Sequence, residues 1–328
     1  MPYLLLALAL LFNLGAAAQP APAYPTKPVR IVVPYGPGGA TDIVARILGD
    51  HLRETLGQPF VVENKPGGNG VVALQEVARA KPDGYTLLIG NVPTQMLNPL
   101  IEGSKMPVNA FKDIVPIARL VDIPGVFLAT KVNFPPNNVK EVVDYAKSRP
   151  GEVNYNSAGY LAYSHIDFLM LQKKTGIKMT LIPLKAGAGG GQIDLMNGEV
   201  HIGLQNAATV IPLVKGGKLK ALAVTSEKRL AELPDVPTMK EAGFGEIGTN
   251  AWQALYAPAG TPKEVLEKLL DATLKALADE KVQSQLEKLQ FTLIPTKTLP
   301  EVQEWMTREV EVWTPIVKDA KEMAEKQG

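Results

Sequence analysis

The chain has 328 residues, of which 46% are hydrophobic, 20% charged and 6% aromatic, with a formal charge of +1. That length favours two lobes over a single core, and a near-neutral charge without basic blocks gives no long-range attraction to nucleic acid or to an anionic membrane surface. The absence of cysteine removes zinc–thiolate, iron–sulfur, disulfide and thiol-nucleophile chemistry together.

The first segment, LLLALALLFNLGAAA, is too short an apolar run to span a bilayer comfortably, and it ends in Ala16-Ala17-Ala18. Small residues before a cleavage point after Ala18 read as a signal peptide over residues 1–18, and therefore as export. No Lys or Arg precedes the run, so a membrane anchor is the alternative. A lipoprotein anchor is excluded by the lack of cysteine.

After a Pro-rich linker, Val29 to Val33 reads as a buried strand. TDIVARILGDHLRETLG has apolar residues at helical spacing and closes on Gly57, a plausible residue to follow a helix C-terminus. PFVVENKPG is a second strand and turn, VVALQEVARAKPDG a helix stopping at a turn signal, and YTLLIGN a third strand. Alternation of this kind predicts a parallel sheet. The pattern restarts with strand VFLAT, helix NVKEVVDYAKSRPG, strand VNYNS and helix SHIDFLMLQKKTG. It continues through MTLIPL, GGQIDLMNG, VHIGLQ, IPLVKGG and LKALAVTS. Trp252 falls on a further plausible strand, and from Pro262 the chain is helical and expected to pack back across the first lobe. The whole reads as a bilobal α/β protein with lobes at 24–123 plus 248–328 and at 124–247.

The stretch VPYGPGGATDIVAR poses the functional question. Glycines let a backbone approach a ligand closely, and a helix N-terminus at the carboxyl end of a parallel strand favours an anion. Neither GxxxxGK[ST] nor GxGxxG fits, so the turn points to an anion without naming one, and a tight turn that binds nothing is the plain alternative. Two further glycine-containing strand-to-helix turns, NYNSAGYLAYSHID and PLKAGAGGGQID, suit a cleft that closes on an anion from both sides. Thr41 or Asp42 is placed to cap the first helix, or Asp42 to accept a hydrogen bond between turns. Catalysis is poorly supplied. Ser157 and Ser164 are not in GxSxG, and His165, beside Ile166 and Leu169, is more often a packed or capping histidine than a general base. The three histidines, His51, His165 and His201, lie far apart with no HxxxH pair, and nothing in the chain suggests a metal. No cofactor is expected.

The segments YPTKPVRIVVPYGPGGATDIVAR, VVENKPGGNGVVALQEVARAKPDGYTLL, SAGYLAYSH, IPLKAGAGGGQIDLMNGEV and GGKLKALAVTSEKRLAELPDVPTMKEAGF resemble, in order, the substrate-binding receptors of the tripartite tricarboxylate transporter family, also called Bug receptors. The resemblance spans nearly the whole chain after the signal. It implies a type II periplasmic-binding-protein fold, a small organic carboxylate held between the lobes, and a two-subunit membrane permease as partner. Together with the signal peptide, the expectation is a periplasmic, monomeric, non-enzymatic protein, and its near-neutral charge speaks against nucleic acid. Carried over, Tyr35, Gly38, Gly39, Ala40 and Asp42 form the first grip, and Asn91 and Thr94 the cleft floor. Ser157, Ala158, Gly159, Tyr160, Ala162, His165, Lys185 and Ala186 meet the ligand from the second lobe, with Gln205 at the pocket wall. Where the family's second turn reads SxGxGSxxH, Leu161 and Ala162 stand here in place of Gly and Ser, which implies a tighter, more apolar far pocket with Tyr160 and Tyr163 as aromatic walls. Gln205 offers no partner for an ammonium group, which favours an amine-free acid. A sensor input for a signalling partner is the competing function, and an enzyme on the same fold the more distant one.

Overall fold

The structure, a computed structural model, describes residues 24–157, 160–184, 187–245, 247–248 and 251–326. The expected signal peptide lies outside the described residues.

Strand β1 (Val29–Val33) is buried at four of its five positions, and only Arg30, paired with Glu63 and Glu76, reaches solvent, which suits a central parallel strand. Helix α1 (Ala40–Leu56) turns Val44, Ala45, Leu48 and Leu52 inward and ends at Gly57, whose φ of 73° places it in the left-handed region, with its N–H bonded to the Arg53 carbonyl at 3.0 Å. A Cβ at Gly49 would lie 3.3 Å from the Phe60 carbonyl. That glycine therefore lets α1 settle onto β2 (Phe60–Asn64). Helix α2 (Val71–Ala78) and strand β3 (Thr86–Asn91) follow, and β1 pairs in parallel with both β2 and β3.

Between Asn91 and the next expected strand, where the sequence pattern predicts no element, the chain forms a π-helical turn (Pro93–Leu97), helix α3 (Asn98–Glu102) and the ten-residue strand β4 (Ile114–Ile123). Only Pro124 separates β4 from β5 (Gly125–Ala129), which belongs to a second sheet. That sheet is built from α4 (Val139–Ser148), β6 (Asn154–Ser157), α5 (Tyr163–Thr175), β7 (Thr180–Pro183), α6 (Gly187–Asn197), β8 (Ile202–Asn206), α7 (Ala207–Lys215) and β9 (Lys220–Val224). Its strand order is β7-β6-β8-β5-β9. The chain then returns as β10 (Ala251–Pro258), which inserts between β3 and β4 and runs antiparallel to both.

The parallel sheet expected for the first lobe is thus parallel only across β2, β1 and β3. It becomes mixed because β4 carries the chain out of this sheet and β10 brings it back, so the two must point in opposite directions. Helices α8 (Lys263–Ala278) and α9 (Glu280–Lys288) pack on α1, and the short strand β11 (Thr292–Leu293) completes the order β11-β4-β10-β3-β1-β2. Leu269 and Leu277 of α8 share one apolar cluster with Val44 and Leu48 of α1, and each side chain buried in this way stabilises by about 1.5–3 kcal/mol. Helix α10 (Leu299–Glu325) does more than cover the first lobe. It packs on β4 and also on α5 of the second lobe, where Lys173 pairs with Asp319. The result is two α/β lobes joined by two crossings and strapped by the last helix.

Candidate functional site

A cavity of about 450 Å³ lies between the lobes. Its first wall is Ala40 and Thr41 at the start of α1 with Asn91 and Pro93 at the end of β3. The opposite wall carries Ser164 in the first turn of α5, Gln192 of α6, and Gln205, Asn206 and Thr209 where β8 runs into α7. Ile123 and Gly125 of one crossing and Ala251 to Gln253 of the other close it. None of the described lining residues is charged.

Three helices thus begin at this cavity: α1 with 17 residues, α5 with 13 and α7 with 9. None has a side-chain cap on its first turn. Of the helices that start elsewhere, α4, α9 and α10 are capped by Asn138, Asp279 and Thr298, whereas α2 and α8 have no side-chain cap either. An uncapped helix start leaves N–H donors and the equivalent of about half a positive charge at its end. Where three such ends converge on one cavity, they can solvate an anion without a counter-charge.

Asn91 adds an oriented donor. Its Oδ1 accepts from the Thr94 N–H at 3.2 Å, the Thr94 hydroxyl at 3.1 Å and the Tyr35 hydroxyl at 3.2 Å. A backbone N–H can only donate, so the oxygen must face Thr94 and the amide nitrogen is the group presented to the cavity. Burial pushes the Tyr35 phenol up to about 12, which keeps it a donor at neutral pH.

The first glycine turn is fastened from behind. Asp42 is not the helix cap, since Gly39 occupies that position. Its carboxylate accepts from the Gly38 N–H at 2.9 Å, Arg46 Nε at 3.0 Å and Asn64 Nδ2 at 3.0 Å. Burial works against the ionised form, but the bonds from Arg46, Gly38 and Asn64 outweigh it and hold the carboxyl below the usual carboxylate range. Gly38 has φ 82°, the left-handed region that a side chain strains.

In the second lobe Ser164 donates to Ser157 at 2.9 Å, and the Leu161 N–H donates to His165 Nδ1 at 2.9 Å. Burial of His165 holds its imidazole at about 4. It is therefore neutral at pH 7, with its proton on Nε2, and it is buried in the second lobe. Leu161 departs from the expected picture. It takes φ 54°, where glycine is unstrained, yet its side chain is buried with Leu169, Trp252 and Val32. Its bulk enters the core, so it does not tighten the far pocket.

Of the residues carried over from the resemblance, Ala40, Asn91 and Gln205 line the cavity. Gly38 and Gly39 are exposed at the first turn, where Asp42 fastens Gly38. Tyr35 and Thr94 bond to the cavity residue Asn91, and Ser157 accepts from the cavity residue Ser164. Ala162 is the residue before α5, and His165 lies in its first turn. Tyr160 is exposed against the His165 ring, whereas Tyr163 is a wall residue. Ala158, Gly159, Lys185 and Ala186 lie outside the described residues. Asn206, Thr209, Gln192 and Gln253 were not expected. The junction LQNAATVIP has the same strand-to-helix design as the glycine turns, but a search for glycine passes over it.

Trp252 is tied to α10. Its indole N–H donates to Glu309 Oε2 at 2.6 Å, and Trp313 Nε1 donates to the same oxygen at 3.1 Å. Tyr163, from the other lobe, stacks near Trp313 with centroids 6.2 Å apart. The aromatic walls contributed by the two lobes therefore both lean on one helix.

The model of the tripartite tricarboxylate transporter family receptor matches residues 44–321. Protein BugT of Bordetella pertussis is 31% identical over 304 residues, covering 93% of this chain and 92% of its own. The R. palustris protein Rpa4515, solved with adipate, aligns with a TM-score of 0.80 at 30% identity, covering 91% of this chain and 98% of its own. MatC from Rhodopseudomonas palustris, solved with bound malate, aligns at 0.76 and 32% identity, covering 90% of this chain and 100% of its own.

Proposed function

The chain belongs to the tripartite tricarboxylate transporter receptor family, and from that premise we propose that it captures a small, amine-free organic acid between its lobes and delivers it to a two-subunit membrane permease. That it is a solute-binding receptor for carboxylates is supported by the family and by the relatives solved with adipate and malate. The observation that carries the finer reading is the cavity itself. Three uncapped helix starts and the Asn91 amide offer donors, while no Asp or Glu among the described lining residues could partner an ammonium group. Ile123, Leu184, Leu204, Tyr163 and Trp252 give the body of the acid an apolar bed.

A receptor also fits the hydroxyl groups better than an enzyme does. Ser164 donates to Ser157, and His165 Nδ1 accepts from the Leu161 N–H, so neither of these bonds makes His165 Nδ1 the base of a serine. In this reading the protein works as a monomer in the periplasm after removal of residues 1–18, with lobes at 24–123 plus 248–328 and at 124–247.

A thermal-shift screen against aliphatic and aromatic acids, amino acids and nucleotides tests the ligand class. An acid at a hundred times its dissociation constant should add about 2.7 kcal/mol. Shifts confined to amino acids or nucleotides would sink the amine-free carboxylate reading. Delivery is tested by uptake of the acid that binds: uptake unchanged on deleting the gene would overturn that part alone.

A further inference from the structure

The crossing from the first lobe to the second has a cavity on each face. In an extended segment successive side chains point to opposite sides. Ile123 and Gly125 line the ligand cavity at the front, whereas Asp122 and Pro124 line a second cavity, of about 530 Å³, at the rear. The rear cavity is also walled by both lobes. Glu287, Phe291 and Thr292 come from the end of α9 and from β11, and Ser226 to Ala231 come from the segment that leaves β9. The first-lobe end of this crossing is anchored in its own sheet: Arg119 Nη2 donates to both Asp122 carboxylate oxygens at 2.6 and 2.7 Å, and Thr292 of β11 pairs with Asp122 in register.

The geometry points to a see-saw: rotation of the lobes about Asp122–Gly125 that narrows the front cavity widens the rear one, so whatever fills the rear cavity favours the ligand-holding, closed arrangement. Two packed lobes with a void on each side of one crossing cannot shrink both voids by turning about it. A group wedged in the rear makes no contact with the ligand, yet it stabilises the closed population, and ligand affinity rises with the fraction of protein that is already closed. The rear cavity is thereby a control point for the front site, separate from the residues that recognise the acid. Only the affinity arm of the test rests on the front cavity being the carboxylate site.

The test uses two independent rear wedges, Ala231→Trp from the second lobe and Thr292→Trp from the first, both at exposed positions. The opposing wedge, Thr209→Trp, is placed in the front cavity. Because the chain has no cysteine, Arg53→Cys on α1 and Lys140→Cys on α4, both with exposed side chains, take a pair of spin labels for interlobe distance measurement without background. The two rear wedges should shift the ligand-free distance distribution in one common direction, and the front wedge in the other. Calorimetry with adipate and with malate should show several-fold tighter binding in the rear-wedge variants for whichever acid the parent protein binds. Distributions that do not move, or that move the same way for front and rear wedges, overturn the see-saw. If neither acid binds any variant while the distances shift as stated, the see-saw stands, and the carboxylate reading fails for these two acids.

Discussion

Thr94 and Asn91 hold each other in a closed exchange. The Thr94 N–H donates to Asn91 Oδ1 at 3.2 Å, and the Asn91 N–H donates to Thr94 Oγ1 at 3.0 Å. Thr94 is fully buried and does not line the cavity, so its contribution is to aim the Asn91 amide. Thr94→Val should leave the fold cooperative and weaken carboxylate binding by about tenfold, the equivalent of one lost hydrogen bond of about 1.4 kcal/mol. Asn91→Asp keeps an oxygen for Thr94 but replaces the amide donor by a second carboxylate oxygen. Calorimetry should show loss of acid binding with little change in melting temperature; retained binding would remove Asn91 from the site.

Asp42 acts as the peg of the first turn. Replacing it by Ala removes the acceptor of the Gly38 N–H and of Arg46 Nε and one of the two acceptors of the Asn64 amide, and each lost bond costs about 0.5–1.5 kcal/mol. Urea unfolding should therefore show a loss of about 2 kcal/mol, with Asp42→Asn intermediate. An unchanged midpoint would mean that the turn is held elsewhere.

His165 predicts an acid limb in stability. Its folded value, about 4, lies below its ordinary 6.5, so the unfolded chain binds the extra proton first. The stabilisation is complete above pH 6.5 and is lost as pH falls from 6.5 toward 4, by up to about 3 kcal/mol for this group. His201 is shifted the same way by burial, so His165→Gln should flatten the urea-midpoint profile between pH 6.5 and 4 without abolishing its slope. An identical slope in the variant would show that the imidazole is not buried.

At Leu161 two effects oppose each other. The left-handed backbone costs a non-glycine residue about 1–2 kcal/mol, whereas removing a buried leucine costs about 2–5 kcal/mol. Burial wins, so Leu161→Gly should lower stability by about 1–3 kcal/mol despite restoring the residue that the family pattern carries here. A stabilised variant would place the Leu161 side chain outside the core.

Glu309 bridges two indoles with one oxygen. Glu309→Leu leaves both N–H groups without that acceptor and should destabilise by about 2–3 kcal/mol. Because Trp252 lines the cavity, its fluorescence should respond to a bound acid in the parent protein and respond less in the variant. Equal responses would separate Trp252 from the strap helix.

Much of this molecule follows from local pattern. The run Val29–Val33, the periodic apolar face of α1 and its stop at Gly57 are each set by a few neighbouring residues, so the alternating elements and the glycine turns at helix starts can be read directly from the chain. The expectation of an anion rests on the same turns, because a helix start at the end of a parallel strand offers free N–H groups whatever surrounds it. Pairing between distant segments does not follow. That β10 inserts between β3 and β4, that Thr94 and Tyr35 turn the Asn91 amide toward the cavity, and that Leu161 sinks into a core shared with Trp252 all depend on residues far apart in sequence. The chain alone led, through its two sets of strand-helix units and its resemblance to a receptor family, to the expectation of a two-lobed carboxylate receptor. Only tertiary packing decided which groups face the cavity between the lobes and which hold those groups in place, because a side chain's direction is set by everything that crowds around it.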